Sequence, residues 1–166
     1  MAKGRKFSLL YDPAEDRLAW DMEDSDGATT RIWITQRFCR QFVGAIIPRL
    51  PNPGPNVAPE HQSTVQSFQQ AAAVSSLGQA PPVQMPAEPV AARVRAAHMT
   101  PKSAGIEVTF DLGEAGQRSI DLDPAAARQM LALMHALHVH AGWPVDFWPE
   151  WIAQPAAVPA ATPALN

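Results

Sequence analysis

The chain of 166 residues is short of the residue types from which most local chemistry is built. It has one cysteine, Cys39, which leaves no intrachain disulfide and no cysteine-based metal cluster. Charged residues make up only 17% of it, and the net charge is −3. Neither end is rich in one sign. Residues 1–50 carry eight Lys/Arg against seven Asp/Glu, and residues 93–166 carry five against seven. The basic excess of a strong nucleic-acid binder is missing from both. No stretch approaches 18 consecutive apolar residues, so no segment reads as a membrane span. The basic start, Met1 to Lys6, is not followed by the apolar core of a signal peptide. The expectation is a soluble cytoplasmic protein without membrane attachment. A Gly-rich phosphate loop, a nucleophile elbow and a zinc signature are also missing. An enzyme therefore has no positive support, and no catalytic residue, metal ligand or cofactor is assigned.

What the chain does have is one pattern written twice. Residues 7–50 and 94–142 each read as a hairpin, a third strand and a helix, in register when 88 is added to the number (Leu18 becomes Ile106). Leu18, Trp20 and Met22 fall on Ile106, Val108 and Phe110. Ile32 and Ile34 fall on Ile120 and Leu122; Thr35 falls on Asp123, both N-cap types. Phe42, Val43 and Ile46 fall on Met130, Leu131 and Met134, and Arg40-Gln41 on Arg128-Gln129. Period-two alternation marks the strands, and the i, i+3, i+4, i+7 stripe of Cys39, Phe42, Val43, Ile46 and Leu50 marks the first helix. Asp26-Gly27 signals a hairpin, and Asp123-Pro124 starts the second helix. Such a repeat predicts a pseudo-twofold α+β fold of two βββα units with antiparallel sheets, each covered by one helix.

The domain reading follows from composition. Residues 1–50 are the first βββα unit and 93–152 the second, with an aromatic C-terminal segment. Residues 51–92 are rich in Pro, Ala and Gln, with only Glu60 and Glu88 charged. They read as a flexible linker with the option of a short helix at 60–77. Residues 153–166 are Ala/Pro-rich and read as a disordered tail.

Candidate chemistry is thin. His135, His138 and His140 cluster near the end of the second helix, but no Asp, Glu or Cys lies beside them to complete a metal shell, and His suits a helix C-terminus. Cys39 lies on an apolar stripe, where a thiol behaves as a small hydrophobe. The Asp24, Asp26, Gly27 turn fails the ligand order of a calcium loop. The aromatics say more. Trp33 stands between Ile32 and Ile34, so it points away from the helix-covered face and shares the outer face with Leu10 and Ala19. An exposed Trp on a sheet calls for a covering layer. Trp33, Arg31, Leu10, Trp143, Phe147, Trp148 and Trp151 are the expected partner surface, or cover one another.

The stretches Thr29–Val43 and Arg118–Leu131 each give a last strand, a cap and a helix. This duplicated strand-strand-strand-helix pattern resembles the PUR and Whirly families of single-stranded nucleic-acid binders. The resemblance implies curved sheets built from repeats, with four strands per repeat where three are readable here. It transfers no binding residues. The outward positions Asp21, Glu23, Glu107, Asp111 and Asp121 are acidic, which opposes phosphate binding. The leading expectation is a non-enzymatic protein-interaction module, an adaptor, accessory subunit or assembly factor whose partner is another protein. Single-stranded nucleic-acid binding through Trp33, Arg31, Arg37 and Arg40 comes second.

Overall fold

The computed structural model describes residues 2–78 and 81–156. Strand β1 (Ala2–Asp12) runs through a turn into β2 (Arg17–Asp24), then β3 (Thr29–Ile34) and helix α1 (Gln36–Ile46). The turn at Asp24–Ala28 is closed by the Asp24 carboxylate, which accepts from the N–H groups of Asp26 and Ala28. Thr35 caps α1 by accepting from the Phe38 N–H. Helix α2 (Pro59–Ser75) follows, then β4 (Val90–Arg93), β5 (Ala96–Lys102), β6 (Gly105–Asp111), β7 (Gln117–Leu122), α3 (Pro124–Ala141) and the short α4 (Glu150–Ala153). Asp123 caps α3 through the Ala126 N–H, and Gly142 ends it in the left-handed conformation at φ 68°.

The fold is mixed α+β. The strand order is β4-β3-β2-β1-β7-β6-β5, a four-stranded half and a three-stranded half. Within each half the consecutive strands pair antiparallel. The β2–β3 ladder sets Leu18 against Ile34 and Trp20 against Ile32; adding 88 to those numbers gives the β6–β7 ladder, Ile106 against Leu122 and Val108 against Ile120. Antiparallel pairing throughout was expected, in one sheet or two, and two junctions are parallel instead. Ala2–Gly4 pair with Arg118–Ile120, and Val90–Arg93 pair with Thr30–Trp33. The first strand of each half reaches the last strand of the other half, and strands not joined by a tight hairpin are free to pair in parallel. Val94 then donates to the Trp33 carbonyl and Arg95 to the Asp111 carbonyl. So β4 and β5 are one bent segment touching both margins, and the layer closes on itself.

The concave side holds one core. Trp20 from β2, Phe110 from β6 and Phe42 from α1 meet with ring centroids 4.9 to 6.1 Å apart. Around them lie Ile32, Ile34, Ile46, Val108, Met130, Leu131 and Met134, all buried. The apolar stripes of both helices therefore turn inward, as their periodicity predicts.

Two expectations need correction, and one takes the helical option it carried. The stretch expected as a flexible linker with the option of a short helix at 60–77 holds that helix as α2, packed on α3 and α4. Polar bonds hold it: buried Gln70 donates to the Arg128 carbonyl, and Gln129 donates to the Ala73 carbonyl. An apolar-area argument does not see such bonds. The tail expected as disordered from 153 begins structured: Ala153 closes α4 and the Ala156 N–H donates to Ser67 Oγ. Residues 157–166, the rest of that tail, lie outside the described residues. Third, Asp21 was expected outward in solvent and is buried. Its register neighbour Ser8 accepts from the N–H of buried Val83, so the segment around 83 crosses the outer face of β1 and β2.

Candidate functional site

The outer face of the first half is built by register. Leu10, Ala19, Trp33 and Arg93 form one row across four strands, and Ser8, Asp21, Arg31 and Ala91 form the next. Leu10, Arg31 and Trp33 thus share a surface, as the alternation around Ile32 and Ile34 requires. Arg31 grips Asp21 with two bonds, 2.7 and 2.8 Å long, and its guanidinium lies 5.4 Å from the Trp33 ring centre. The Asp21 hydrogen bonds hold the Arg31 pKa above its ordinary value. One face of the Trp33 ring is therefore already occupied by a cation that is itself neutralised.

From Trp33 the surface continues round the bend of β4 to α1. Here Arg37, Arg93 and Arg95 line a groove of about 380 Å³ with Thr35, Phe38, Gln41 and Val94. All three arginines are exposed, and none has an ion pair among the described residues. A second groove of about 300 Å³ adjoins it between α1 and β5, lined by Phe38, Gln41, Phe42, Ala45 and Met99 among others. Arg40, one turn along α1, makes a 3.9 Å contact with Asp146 and lies 5.1 Å from the Phe147 ring centre. The geometry is an open, cationic, partly apolar strip with one helix along its length. Arginine forks of this kind recognise carboxylates or phosphates bidentately.

Of the other aromatic residues expected at a partner surface, Phe147 touches Arg40 at the edge of this strip, and the three tryptophans lie elsewhere. Trp143 and Trp148 are each only 7% exposed, packed against α3 around His138. Trp143 Nε1 donates to Asp16 in the β1–β2 turn at 2.9 Å. Trp151 lies under Arg128, its ring centre 5.3 Å from the guanidinium. This segment covers α3 rather than Trp33. Aromatic composition alone could not distinguish a lid from a docking patch. Arg93 and Arg95 carry no local signal in the sequence, because they approach α1 through the parallel β3–β4 pairing, a contact between residues about sixty apart in the chain.

The histidines have structural surroundings. His138 is fully buried, its Nδ1 bonded to the Met134 carbonyl at 2.8 Å, with three aromatic rings within 5.1 to 5.6 Å. Burial pushes its pKa below the ordinary value, as it does for His135 beside Trp148. Among the described residues no three His, Cys, Asp or Glu side chains are placed to share a metal ion. Cys39 is buried, and the loss of water raises its pKa, which holds it as a thiol. Among the described residues no helix is long and apolar enough to cross a membrane. Comparison with protein-family models, with curated proteins and with solved structures finds no match.

Proposed function

We propose that this protein is a non-enzymatic interaction module, an adaptor, accessory subunit or assembly factor, built by internal duplication of a βββα unit. The duplication is supported by ladders and caps that repeat at an offset of 88, including the parallel junctions, where Val90 stands to Ala2 as Arg118 stands to Thr30. The docking surface in this reading is the arginine strip along α1. The observation that carries it is the run of exposed arginines at 37, 93 and 95 without ion-pair partners among the described residues, beside the half-buried Trp33 and Phe38. Unpaired cations flanked by apolar surface are what a partner with complementary charge would cover.

A second reading, a single-stranded nucleic-acid binder of PUR/Whirly-like architecture, draws on the same arginines and on Trp33 as a stacking platform. It is the weaker one. Asp21 neutralises Arg31, and that guanidinium sits on the ring that a base would need. Two measurements separate the readings. The protein reading expects co-purifying protein to be lost in Arg37→Glu/Arg40→Glu with the fold intact by circular dichroism. The nucleic-acid reading expects oligonucleotide affinity that falls steeply with salt. Oligonucleotide binding without protein capture would reverse the ranking.

A further inference from the structure

Positions 40 and 128 hold the same residue, each five places after its helix N-cap, and each is followed by glutamine. At 128 the pair reads a helix. The Arg128 guanidinium donates to the side-chain oxygens of Gln66 and Gln69, one turn apart on α2, and to the Gln66 carbonyl. Gln129 donates to the Ala73 carbonyl of the same helix. Arg128 is 3% exposed under this cover. At 40 the pair is in place and the helix is missing from among the described residues. Gln41 is exposed, and Arg40 has, among the described residues, a 3.9 Å contact with exposed Asp146 and lies 5.1 Å from the Phe147 ring centre.

We infer that the outer face of α1 seats a helix of a partner protein carrying carboxylates at i, i+3 spacing, docked on Arg40-Gln41 as α2 docks on Arg128-Gln129. The inference rests on the interaction-module reading and names its occupant. Charge selects carboxylates over the glutamines used by α2. Arg128 sits alone with amide oxygens, whereas Arg40 has Arg37 beside it and Arg93 and Arg95 bordering the same helix. Gly44 adds a second, independent observation. It lies one turn beyond Arg40 on the same exposed face, and a Cβ there would meet nothing within 4 Å. Glycine inside a helix is unfavourable relative to alanine, and a bare face allows another helix backbone to approach closely. The chain's own α2 is not a free occupant, because its glutamines are engaged by Arg128.

The test is a titration of the full chain with a synthetic peptide of the α2 sequence, Pro59–Ser75, bearing Gln66→Glu and Gln69→Glu, followed by amide NMR. The expected result is saturable binding, weakened by salt, with shifts confined to Arg37, Arg40, Gln41, Gly44 and their neighbours. Arg40→Ala should weaken it about tenfold or more, as loss of a buried charged contact does. Gly44→Leu, which has room to fold, should block it. Absence of saturable binding, or shifts centred on α3, overturns the inference. So does tighter binding of a short oligo-dT to the same residues, which would make the occupant nucleic acid. Self-association shielding the same residues also overturns it, by making the occupant a second copy. If the peptide fails while Arg37→Glu/Arg40→Glu still abolishes protein capture, only the occupant is wrong and the module reading stands.

Discussion

The outer faces of α1 and α3 begin from the same Arg-Gln pair and end in different environments. Both carry Arg-Gln at the same distance from an N-cap, and both turn an apolar stripe into one shared core. Over α3 lie α2 and the aromatic segment ending in α4, and Arg128 is buried beneath them. Over α1 there is, among the described residues, only the fringe contact of Asp146 and Phe147 with Arg40. The same two residues are thus a structural clamp in one half and an exposed pair in the other. The difference comes from the connections: the long segment between the halves folds back on α3, and the C-terminal segment does the same. The two halves are thus covered unequally, and the outer face of α1 is the open one among the described residues.

The comparison breaks most severely if the halves do not share a core. Ile46→Ala under α1 and Met134→Ala under α3 should each destabilise by about 2–4 kcal/mol, because each leaves a cavity in fully buried packing. Both should shift one common denaturant transition. Two separate transitions, or a loss below about 1 kcal/mol at either site, would mean that the faces are wrongly placed.

The next contrast is between the arginines themselves. Arg128→Ala should cost about 1–3 kcal/mol, since it removes the charged hydrogen bonds that the buried guanidinium makes to Gln66 and Gln69, and hydrogen exchange should speed up in α2. Arg40→Ala should stay within about 0.5 kcal/mol, as exposed substitutions do. Equal losses at the two sites would remove the distinction between clamp and exposed residue.

Acidification should act on the covered half. Burial holds the His138 pKa below 6.5, so the unfolded chain takes up the proton first. Its contribution to stability is complete above 6.5 and is lost as pH falls from there through the lower folded-state value. Denaturation midpoints should fall on mild acidification, with the segment from Trp143 to Trp151 loosening first by tryptophan emission. A midpoint that rises instead would show that the imidazolium is favoured among those rings.

Gly44→Ala should give the smallest effect and the opposite sign, a gain of about 0.5–1 kcal/mol from helix propensity. A loss there would mean that α1's outer face is already packed against something.

The strand faces, both caps and both helix stripes were legible in the sequence, because alternation and capping are local and the buried rows from Leu18 to Met22 and from Ile106 to Phe110 follow them. What escaped was non-local or polar. Ala2–Lys6 and Val90–Arg93 have no apolar alternation and are strands because distant partners complete their ladders. Helix α2 has no strong apolar face and is fixed by Gln66, Gln69 and Gln70. Leu10, Arg31 and Trp33 were correctly placed on one face, but Trp143 and Trp148 were grouped with them only because they are aromatic.

The most direct measurement compares two surface substitutions for their effect on the recovery of protein captured by the full chain from a cell extract. Gly44→Leu puts bulk on the bare face of α1, and Phe68→Ser removes the large exposed hydrophobic of α2, which is 53% exposed. The account predicts that Gly44→Leu abolishes recovery while Phe68→Ser leaves it unchanged, with both chains folded. Loss with Phe68→Ser and retention with Gly44→Leu would contradict it and move the docking surface to α2.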